Sequence, residues 1–305
     1  MIGVLVMAYG GPANIEEVEP YLLDVRGHRP TDRHIVDEVR ERYRQIGGRS
    51  PILEQTQAQA VALQATLNRE GHGDYKAFVG MRHWHPYIQS ALSDMKAQGI
   101  TRAIGVAMAP HYSRMSIGAY FKKIEEAKSS VDVRAVQDWH MEPGYLDALA
   151  ERVKAALGRF PAPGRPDIPV LFTAHSLPQR ILEWDDPYPE QLNETVCAVM
   201  ERIGERPHEF AFQSAAISNE PWLGPDAGQS IRRLAGEGHK EIVLCPIGFV
   251  CEHVEILYDV DIVYQALAKS VGVHLERIEM LGTAPKMIEG LARLVQLKAE
   301  EAGWL

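Results

Sequence analysis

Three acidic side chains near the carboxyl end of the chain are spaced as they would be on one face of a helix. Glu252, Glu255 and Asp259 occur at positions i, i+3 and i+7, and like charges this close cost about a few tenths of a kcal/mol per neighbouring pair. A solvated acidic face is the ordinary explanation, but the apolar side chains between these carboxylates leave little room for one. Carboxylates along a cation path are the alternative, because hard divalent ions prefer oxygen ligands. Asp261 either extends that path or binds a structural ion.

A single histidine is the second candidate for chemistry. His175 follows a continuously apolar stretch, residues 170–174, which is typical of a buried strand. A histidine in that position is commonly a hydrogen-bonded residue of the core. Imidazole is, however, both a metal ligand and a proton acceptor near neutral pH. One imidazole with nearby carboxylates suits Fe²⁺ or Zn²⁺, so the structural and the metal-binding interpretations both stay open.

The composition excludes several classes of function. A net charge of −9 and a pI near 5.8 argue against a nucleic-acid partner, which needs an excess of Lys and Arg on one face. No GxxxxGKS/T motif occurs, and no GxGxxG follows a strand and opens a helix, so no nucleotide cofactor is expected. Cys197, Cys245 and Cys251 form no CxxC pair and are too few for a four-cysteine iron–sulfur cluster.

The apolar start of the chain indicates a strand and not a targeting signal. Residues 2–8 carry no basic leader and are too few for a signal core. No other stretch approaches the roughly 20 apolar residues that a membrane helix needs. We therefore expect a cytoplasmic protein without stable membrane insertion.

Short β-branched runs alternate with longer amphipathic stretches, a pattern typical of parallel α/β layers. Strands are predicted at residues 2–7, 76–80, 103–109, 131–136, 170–174, 209–212, 241–246 and 273–278. Helices are predicted at residues 16–25, 36–46, 55–68, 117–128, 145–157, 189–202, 231–237, 253–268 and 285–299.

A proline-rich segment divides the chain near its middle. Residues 159–169 contain four prolines and one glycine, which indicates a linker. We expect an N-terminal α/β lobe at 1–158 and a C-terminal α/β lobe at 170–305, with the last helix able to pack back on the N-terminal lobe.

The ends of the predicted strands indicate where a ligand would bind. Open α/β sheets bind ligands beyond the carboxyl ends of their strands. Tyr9, His111 and His175 follow predicted strands in the two halves. We therefore expect these residues to face a cleft between the two lobes.

Eight ordered sequence blocks resemble the ferrochelatase family, and they span almost the whole chain. The blocks are MAYG at 7–10, RY at 42–43 with IGGRSP at 46–51, APHYS at 109–113, TAHSLP at 173–178, DPYP at 186–189, FQS at 212–214, PWLGPD at 221–226 and HVEILYD at 253–259. The resemblance implies two similar Rossmann-like lobes of the class II chelatase type, with parallel sheets around a porphyrin cleft. It implies an enzyme of heme biosynthesis that inserts Fe²⁺, its substrate, into a porphyrin.

The same resemblance implies roles for particular residues. His175 and Glu255 match the family residues that bind the incoming iron and manage the pyrrole protons, and Tyr9 matches an axial ligand of iron in the product. The family positions that hold the porphyrin and its propionates correspond to Tyr9, Arg26, Arg42, Tyr43, Ser50 and Tyr120. Further implied partners are an iron donor and a heme-pathway enzyme that receives the product, and a monomer is expected.

The chain departs from the family pattern beyond Asp259. Where related chains have a further acidic residue, this one has Val260, Ile262 and Val263. This departure puts a complete outer metal site in doubt.

A chelatase for another tetrapyrrole would typically carry paired histidines at the metal. A heme or porphyrin carrier could use the same cleft, but it would need no base and no acidic path.

The segment from 24 to 34 bears on the choice of porphyrin. It reads DVRGHRPTDRH, which is too polar to enter lipid at an acceptable cost. Family members that take protoporphyrin IX usually carry an apolar lip here. A solvated, basic rim suits coproporphyrin III with its four propionates, so the sequence favours the coproporphyrin III branch, with protoporphyrin IX as the alternative.

Overall fold

In the part of the chain that the structure describes, eight parallel strands form two four-stranded sheets, one in each half. The computed structural model describes residues 1–69, 74–161, 166–216 and 220–305. In the first sheet the order is β2-β1-β3-β4, and in the second it is β6-β5-β7-β8. The strands are β1 (Ile2–Ala8), β2 (Tyr75–Met81), β3 (Arg102–Ala107), β4 (Asp132–Ala135), β5 (Val170–His175), β6 (His208–Gln213), β7 (Glu241–Pro246) and β8 (His274–Arg277).

Helices cover both sheets, as the alternating pattern predicts. The α-helices are α1 (Val18–Val25), α2 (Arg33–Gln45), α3 (Ile52–Arg69), α4 (Ile88–Ala97), α5 (Ile117–Glu126), α6 (Pro143–Gly158), α7 (Tyr188–Ile203), α8 (Ala227–Gly236), α9 (Gln265–Ser270) and α10 (Pro285–Glu301). Short 3-10 helices form at Ile15–Glu17 and Gln179–Trp184. Within the described part of the chain, no helix is both long and apolar enough to cross a membrane.

Two helical segments differ from the sequence-based expectation. Helix α4 was not among the predicted helices, although its buried side chains Ile88, Leu92 and Met95 have helical spacing. The single helix predicted at 253–268 is instead a π-helix, Glu255–Tyr264, followed by α9. In a π-helix the hydrogen bonds join residues i and i+5, so each turn holds more residues than an α-helical turn. Residue periodicity alone does not distinguish the two.

The two halves share one hydrophobic core. Its buried side chains include Val4 and Leu149 from the first half, and Phe172 and Leu291 from the second. Helix α10 packs against α3 and β3 of the first half, and α6 packs against α7 and β7 of the second. One helix of each half thus packs on the other half, and this exchange of helices holds the two sheets together. Residues 162–165 of the predicted linker lie outside the described residues.

A buried carboxylate joins the two exchanged helices. Glu142 is only 4% exposed, and its Oε1 accepts a hydrogen bond from Arg293 of α10 at 2.6 Å. Its Oε2 accepts from the backbone N–H of Tyr145 at 2.9 Å, which caps the start of α6. The Glu142 side chain therefore caps the start of α6 and also connects α6 to α10.

A seam of buried polar contacts joins the loop after β3 to α7 and to the residues just before that helix. Ser113 Oγ donates to Oδ2 of Asp186 at 3.0 Å. Nε2 of His111 lies 2.9 Å from Oγ1 of Thr195. These four residues, which we call the inter-lobe seam, are all buried. Because buried hydrogen bonds are protected from competition with water, the seam helps to hold the lobes at a defined separation.

His140 adds a charged contact beside this seam. Its Nε2 lies 2.7 Å from Glu194 Oε2, and its Nδ1 lies 3.1 Å from Asp138 Oδ1. Burial lowers the pKa of His140, but the hydrogen bonds and charges of the two carboxylates outweigh burial and raise this pKa above its ordinary value. The pKa of neighbouring His111 is lowered to about 3, by burial first and then by His140, so His111 stays neutral.

We predict that Glu142→Ala lowers the free energy of unfolding by about 2 kcal/mol, because a helix cap and a charged hydrogen bond are lost together. Urea denaturation measures this loss. Arg293→Ala serves as the matched variant and should cost less, because it keeps the cap from Glu142 to Tyr145 and because the space left by the half-exposed Arg293 side chain admits water to the carboxylate. Equal losses in the two variants would contradict the capping role.

We predict that the stabilising effect of His140 depends on pH. Since the folded-state pKa is raised, the contribution is fully present below the unfolded value of about 6.5 and is lost as pH rises through the folded-state pKa. The wild-type advantage over His140→Gln in urea denaturation should therefore shrink as pH rises through that window. His274→Gln, at an exposed site, is the control. A difference between wild type and His140→Gln that does not change with pH would refute the link.

Candidate active site

A cleft of about 370 Å³ lies between the two lobes, beyond the carboxyl ends of the central strands β1 and β5. This is the place that the topology of parallel sheets favours for a ligand. Several residues predicted from the sequence line it, namely Tyr9, Tyr43, Ser50, Tyr120, His175 and Glu255.

His175 is the last residue of β5, and its ring has a defined orientation. Nδ1 donates to the backbone carbonyl of Ser176, which can only accept, so the proton lies on Nδ1. In the neutral ring, Nε2 then carries a free lone pair. This Nε2 lies 3.5 Å from Oε1 of Glu255, and each side chain is about a third exposed.

Glu255 is the first residue of the π-helix and a strong local anion. Burial raises the pKa of its carboxyl, but His175, His253 and Arg42 together outweigh burial and lower the pKa below its ordinary value. The carboxylate is therefore ionised at neutral pH. Two basic atoms, Nε2 of His175 and Oε1 of Glu255, face each other at 3.5 Å, and such a pair is complementary to a cation between them.

The backbone at Glu255 is anchored to the second sheet. Gln213, at the end of β6, donates from Nε2 to the carbonyl oxygen of Glu255 at 3.1 Å. The side chain of Gln213 in turn accepts from Oγ1 of Thr173, on β5, at 2.7 Å. Because Gln213 and Thr173 are fully buried, this chain of bonds ties the start of the π-helix to the strand that carries His175.

His253 is a site residue that the sequence analysis did not single out. Its Nδ1 lies 3.0 Å from the carbonyl of Cys251 and therefore carries the proton. Its Nε2 lies 3.5 Å from Oε2 of Glu255. Both carboxylate oxygens thus face an imidazole. The spacing of His253 two residues before Glu255 is the sequence signal that could have identified it.

The predicted ion path is only partly assembled. Asp259 follows Glu255 by about one π-helical turn and accepts a hydrogen bond from Ser214 Oγ. Burial raises the pKa of Asp259, and Glu255 contributes to that shift. Asp259 is the one acidic residue of the predicted path that stays next to Glu255.

Glu252 and Asp261 are held elsewhere by one arginine. Arg277 of β8 donates from Nε and Nη2 to the two carboxylate oxygens of Asp261, at 2.7 and 2.9 Å, and from Nη1 to Glu252 at 3.2 Å. Glu252 precedes the helix and does not lie on one of its faces, which corrects the helical spacing expected from the sequence. Neither carboxylate lines the cleft.

The described residues contain no group of three or more His, Cys, Asp or Glu side chains arranged to hold a metal ion. The pair of His175 and Glu255 supplies two basic atoms, fewer than the four ligands of a closed tetrahedral metal site. Open sites exchange their ligands, whereas closed tetrahedral sites are structural.

Tyr9 follows β1 on the wall that belongs to the first lobe. Tyr9 is 39% exposed, and its ring packs against the ring of His83, with 4.7 Å between centroids. Burial, opposed by Arg82, raises the pKa of the phenol to about 12, so it is neutral at pH 7.

The other predicted porphyrin-binding residues fall into two groups. Tyr43, Ser50 and Tyr120 are buried and line the cleft. Arg26 is the C-cap residue of α1, is exposed and does not line the cleft.

Arg42 lies on α2 beside the π-helix and also does not line the cleft. Its Nη2 lies 2.6 Å from Glu38 Oε1, and its guanidinium carbon lies 5.4 Å from the ring centroid of Tyr258. Arg42 therefore acts on Glu255 through its charge.

Comparisons with known proteins agree with this architecture. The model of the family described as Ferrochelatase matches residues 1–299. A ferrochelatase from Deinococcus radiodurans is 43% identical over 98% of this chain and 96% of its own length. A coproporphyrin III ferrochelatase from Oceanobacillus iheyensis is 37% identical over 98% of this chain and 97% of its own length.

Solved structures extend the likeness to the fold. SirB from Bacillus subtilis with Fe³⁺ has a TM-score of 0.62 at 11% identity and covers 99% of this chain and 98% of its own. CbiX, described as the terminal enzyme of siroheme biosynthesis in denitrifying bacteria, has a TM-score of 0.54 at 11% identity and covers 97% of this chain and 98% of its own. These likenesses support the class II chelatase fold.

The full-length family match and the curated relatives show that the chain belongs to the ferrochelatase family, the enzymes that insert iron into porphyrin.

Proposed function

We propose that this ferrochelatase inserts Fe²⁺ into coproporphyrin III at the pair formed by His175 and Glu255. The observation that carries the proposal is the distance of 3.5 Å between Nε2 of His175 and Oε1 of Glu255, both on one wall of the cleft. The product is iron coproporphyrin.

The two basic atoms serve two parts of the reaction. Each insertion replaces the two inner N–H protons of the porphyrin by one Fe²⁺, so the site must deliver a cation and accept protons. Nε2 of His175 has its lone pair free because Nδ1 is engaged by Ser176. Glu255 supplies a negative charge that favours either cation, Fe²⁺ or a proton, beside that nitrogen. The open pair releases iron more readily than a closed cage would.

Tyr9 acts from the opposite wall. Its neutral phenol binds the iron of the product as an axial ligand, on the face of the ring away from Glu255. Tyr43, Ser50 and Tyr120 hold the macrocycle between these walls. The proposal is supported by the aromatic and hydroxyl groups that line this part of the cleft.

The choice of porphyrin rests on two observations. The connection between α1 and α2 is polar, and Arg26, His28 and Arg29 are exposed on it. Relatives from Oceanobacillus iheyensis and Listeria monocytogenes, both 37% identical over nearly the whole chain, are named coproporphyrin III ferrochelatases. A polar rim keeps four propionates hydrated, whereas it offers little apolar surface to an apolar ring.

A carrier that binds porphyrin without turnover is the contrasting function. The ionised carboxylate between two imidazoles argues against it, because a partly buried anion costs free energy that ring binding alone does not require. Such a carrier would bind coproporphyrin III but would form no iron product when Fe²⁺ is added.

We predict that His175→Ala reduces Fe²⁺ insertion by about 10²–10⁴-fold, the usual contribution of a general acid or base. Metal-free porphyrin should still bind, because the tyrosines of the cleft remain. Anaerobic turnover followed by absorbance measures the first effect and fluorescence quenching the second. His274→Ala is the control. Turnover of the His175→Ala enzyme within a few-fold of wild type would remove His175 from the mechanism.

We predict that Tyr9→Phe changes the absorption spectrum of bound iron porphyrin more than it changes the affinity for the metal-free ring. The substitution removes only the hydroxyl and keeps the contact with His83. Spectra that are identical to those of the wild type would exclude axial ligation.

We predict a higher kcat/KM for coproporphyrin III than for protoporphyrin IX in steady-state assays with Fe²⁺. Lipid vesicles should not stimulate turnover, since the rim is polar. An equal or higher kcat/KM for protoporphyrin IX in detergent would contradict the choice of substrate and leave the chelatase activity intact.

A further inference from the structure

Among the described residues, Arg82 is the only arginine or lysine that lines the cleft. It follows β2, and its backbone N–H donates to the carbonyl of Ala8 at 2.9 Å, which fixes it beside the end of β1. The family resemblance implied a role in holding the porphyrin and its propionates for Arg26 and Arg42, neither of which lines the cleft. The cleft therefore contains a positively charged side chain, Arg82, to which the family resemblance assigned no role.

The guanidinium of Arg82 lies between two aromatic rings. Its central carbon lies 5.7 Å from the ring centroid of Tyr9 and 5.8 Å from that of Tyr120. Nη1 donates to the backbone carbonyl of Met115 at 3.2 Å. These contacts hold the side chain in one position, and favourable cation–π contacts offset part of the cost of its partial burial.

No carboxylate of the described residues forms an ion pair with Arg82, in contrast to Arg42, which pairs with Glu38. A guanidinium has five N–H donors and matches a carboxylate through two parallel hydrogen bonds. The Met115 carbonyl uses one donor. The remaining donors are free for a ligand that enters the cleft.

We propose that Arg82 binds a carboxylate of the porphyrin substrate within the cleft. This inference rests on the proposed function, because that function supplies a ligand with carboxylates. The half-buried, aromatic surroundings strengthen the ion pair relative to one at the surface. Coproporphyrin III carries four propionates around the ring and protoporphyrin IX two, so the former offers Arg82 a partner in more orientations.

The test compares the affinity of metal-free coproporphyrin III for wild type, Arg82→Gln and Arg82→Lys by fluorescence quenching. A lost charged hydrogen bond corresponds to about a 10- to 100-fold rise in Kd for Arg82→Gln. Arg82→Lys keeps the charge but not the paired donors, so its Kd should fall between those of wild type and Arg82→Gln. This variant also keeps the test decisive if Arg82→Gln does not fold. Arg134→Gln, which removes an exposed arginine paired with Asp132, is the matched control and should bind as wild type does.

Three results are distinguishable. If wild type binds coproporphyrin III and folded Arg82 variants bind it equally well, the assignment of Arg82 is overturned and the proposed function stands. If affinity is unchanged but the spectrum of bound iron porphyrin shifts, Arg82 acts through Tyr9, and the carboxylate assignment is again overturned. A wild-type protein that does not bind coproporphyrin III would overturn the proposed function itself.

Discussion

The rest of the site depends on one ionised carboxylate, Glu255, held inside a cleft between two lobes. A carboxylate in such a place is unfavourable unless opposite charges and hydrogen-bond donors compensate it. Here His175 and His253 each place Nε2 at 3.5 Å from one of its oxygens and supply a positive charge when they are protonated, and Arg42 adds a charge from the first lobe. Because these groups come from separate elements, the lobes must be packed correctly before the carboxylate is stable as an anion.

The fold provides that packing by exchanging helices. Helix α6 packs on the second half, α10 packs on the first, and Glu142 links the two. The inter-lobe seam adds buried hydrogen bonds on the side of α7. The two walls of the cleft differ, because Glu255, His175 and His253 come from the second half, whereas Arg82, Tyr9 and Tyr120 come from the first. A flat ligand that accepts a cation on one face and offers carboxylates at its edge suits such an asymmetric cleft.

The sequence predicted all eight strands, and with them the residues that follow strand ends. His175 and Tyr9 could be placed in the cleft because parallel topology fixes where strands end. The acidic residues were harder to place. Glu252 and Asp261 are held by Arg277, which is distant in sequence, and the π-helix shifts the positions that an α-helical spacing assumes. Arg82 lacked a local pattern of its own, since its importance comes from neighbours in other elements, Tyr9, Tyr120 and Met115.

The most direct test of the account is a double-mutant cycle on His175 and Glu255, with kcat/KM for Fe²⁺ insertion into coproporphyrin III as the readout. Glu255→Gln keeps the shape of the side chain and removes its charge, and His175→Ala removes the imidazole. Groups that act as one unit give strongly non-additive effects. We therefore expect the double variant to be about as inactive as the worse single variant. Losses that multiply in the double variant would contradict the claim that the two residues act as a pair.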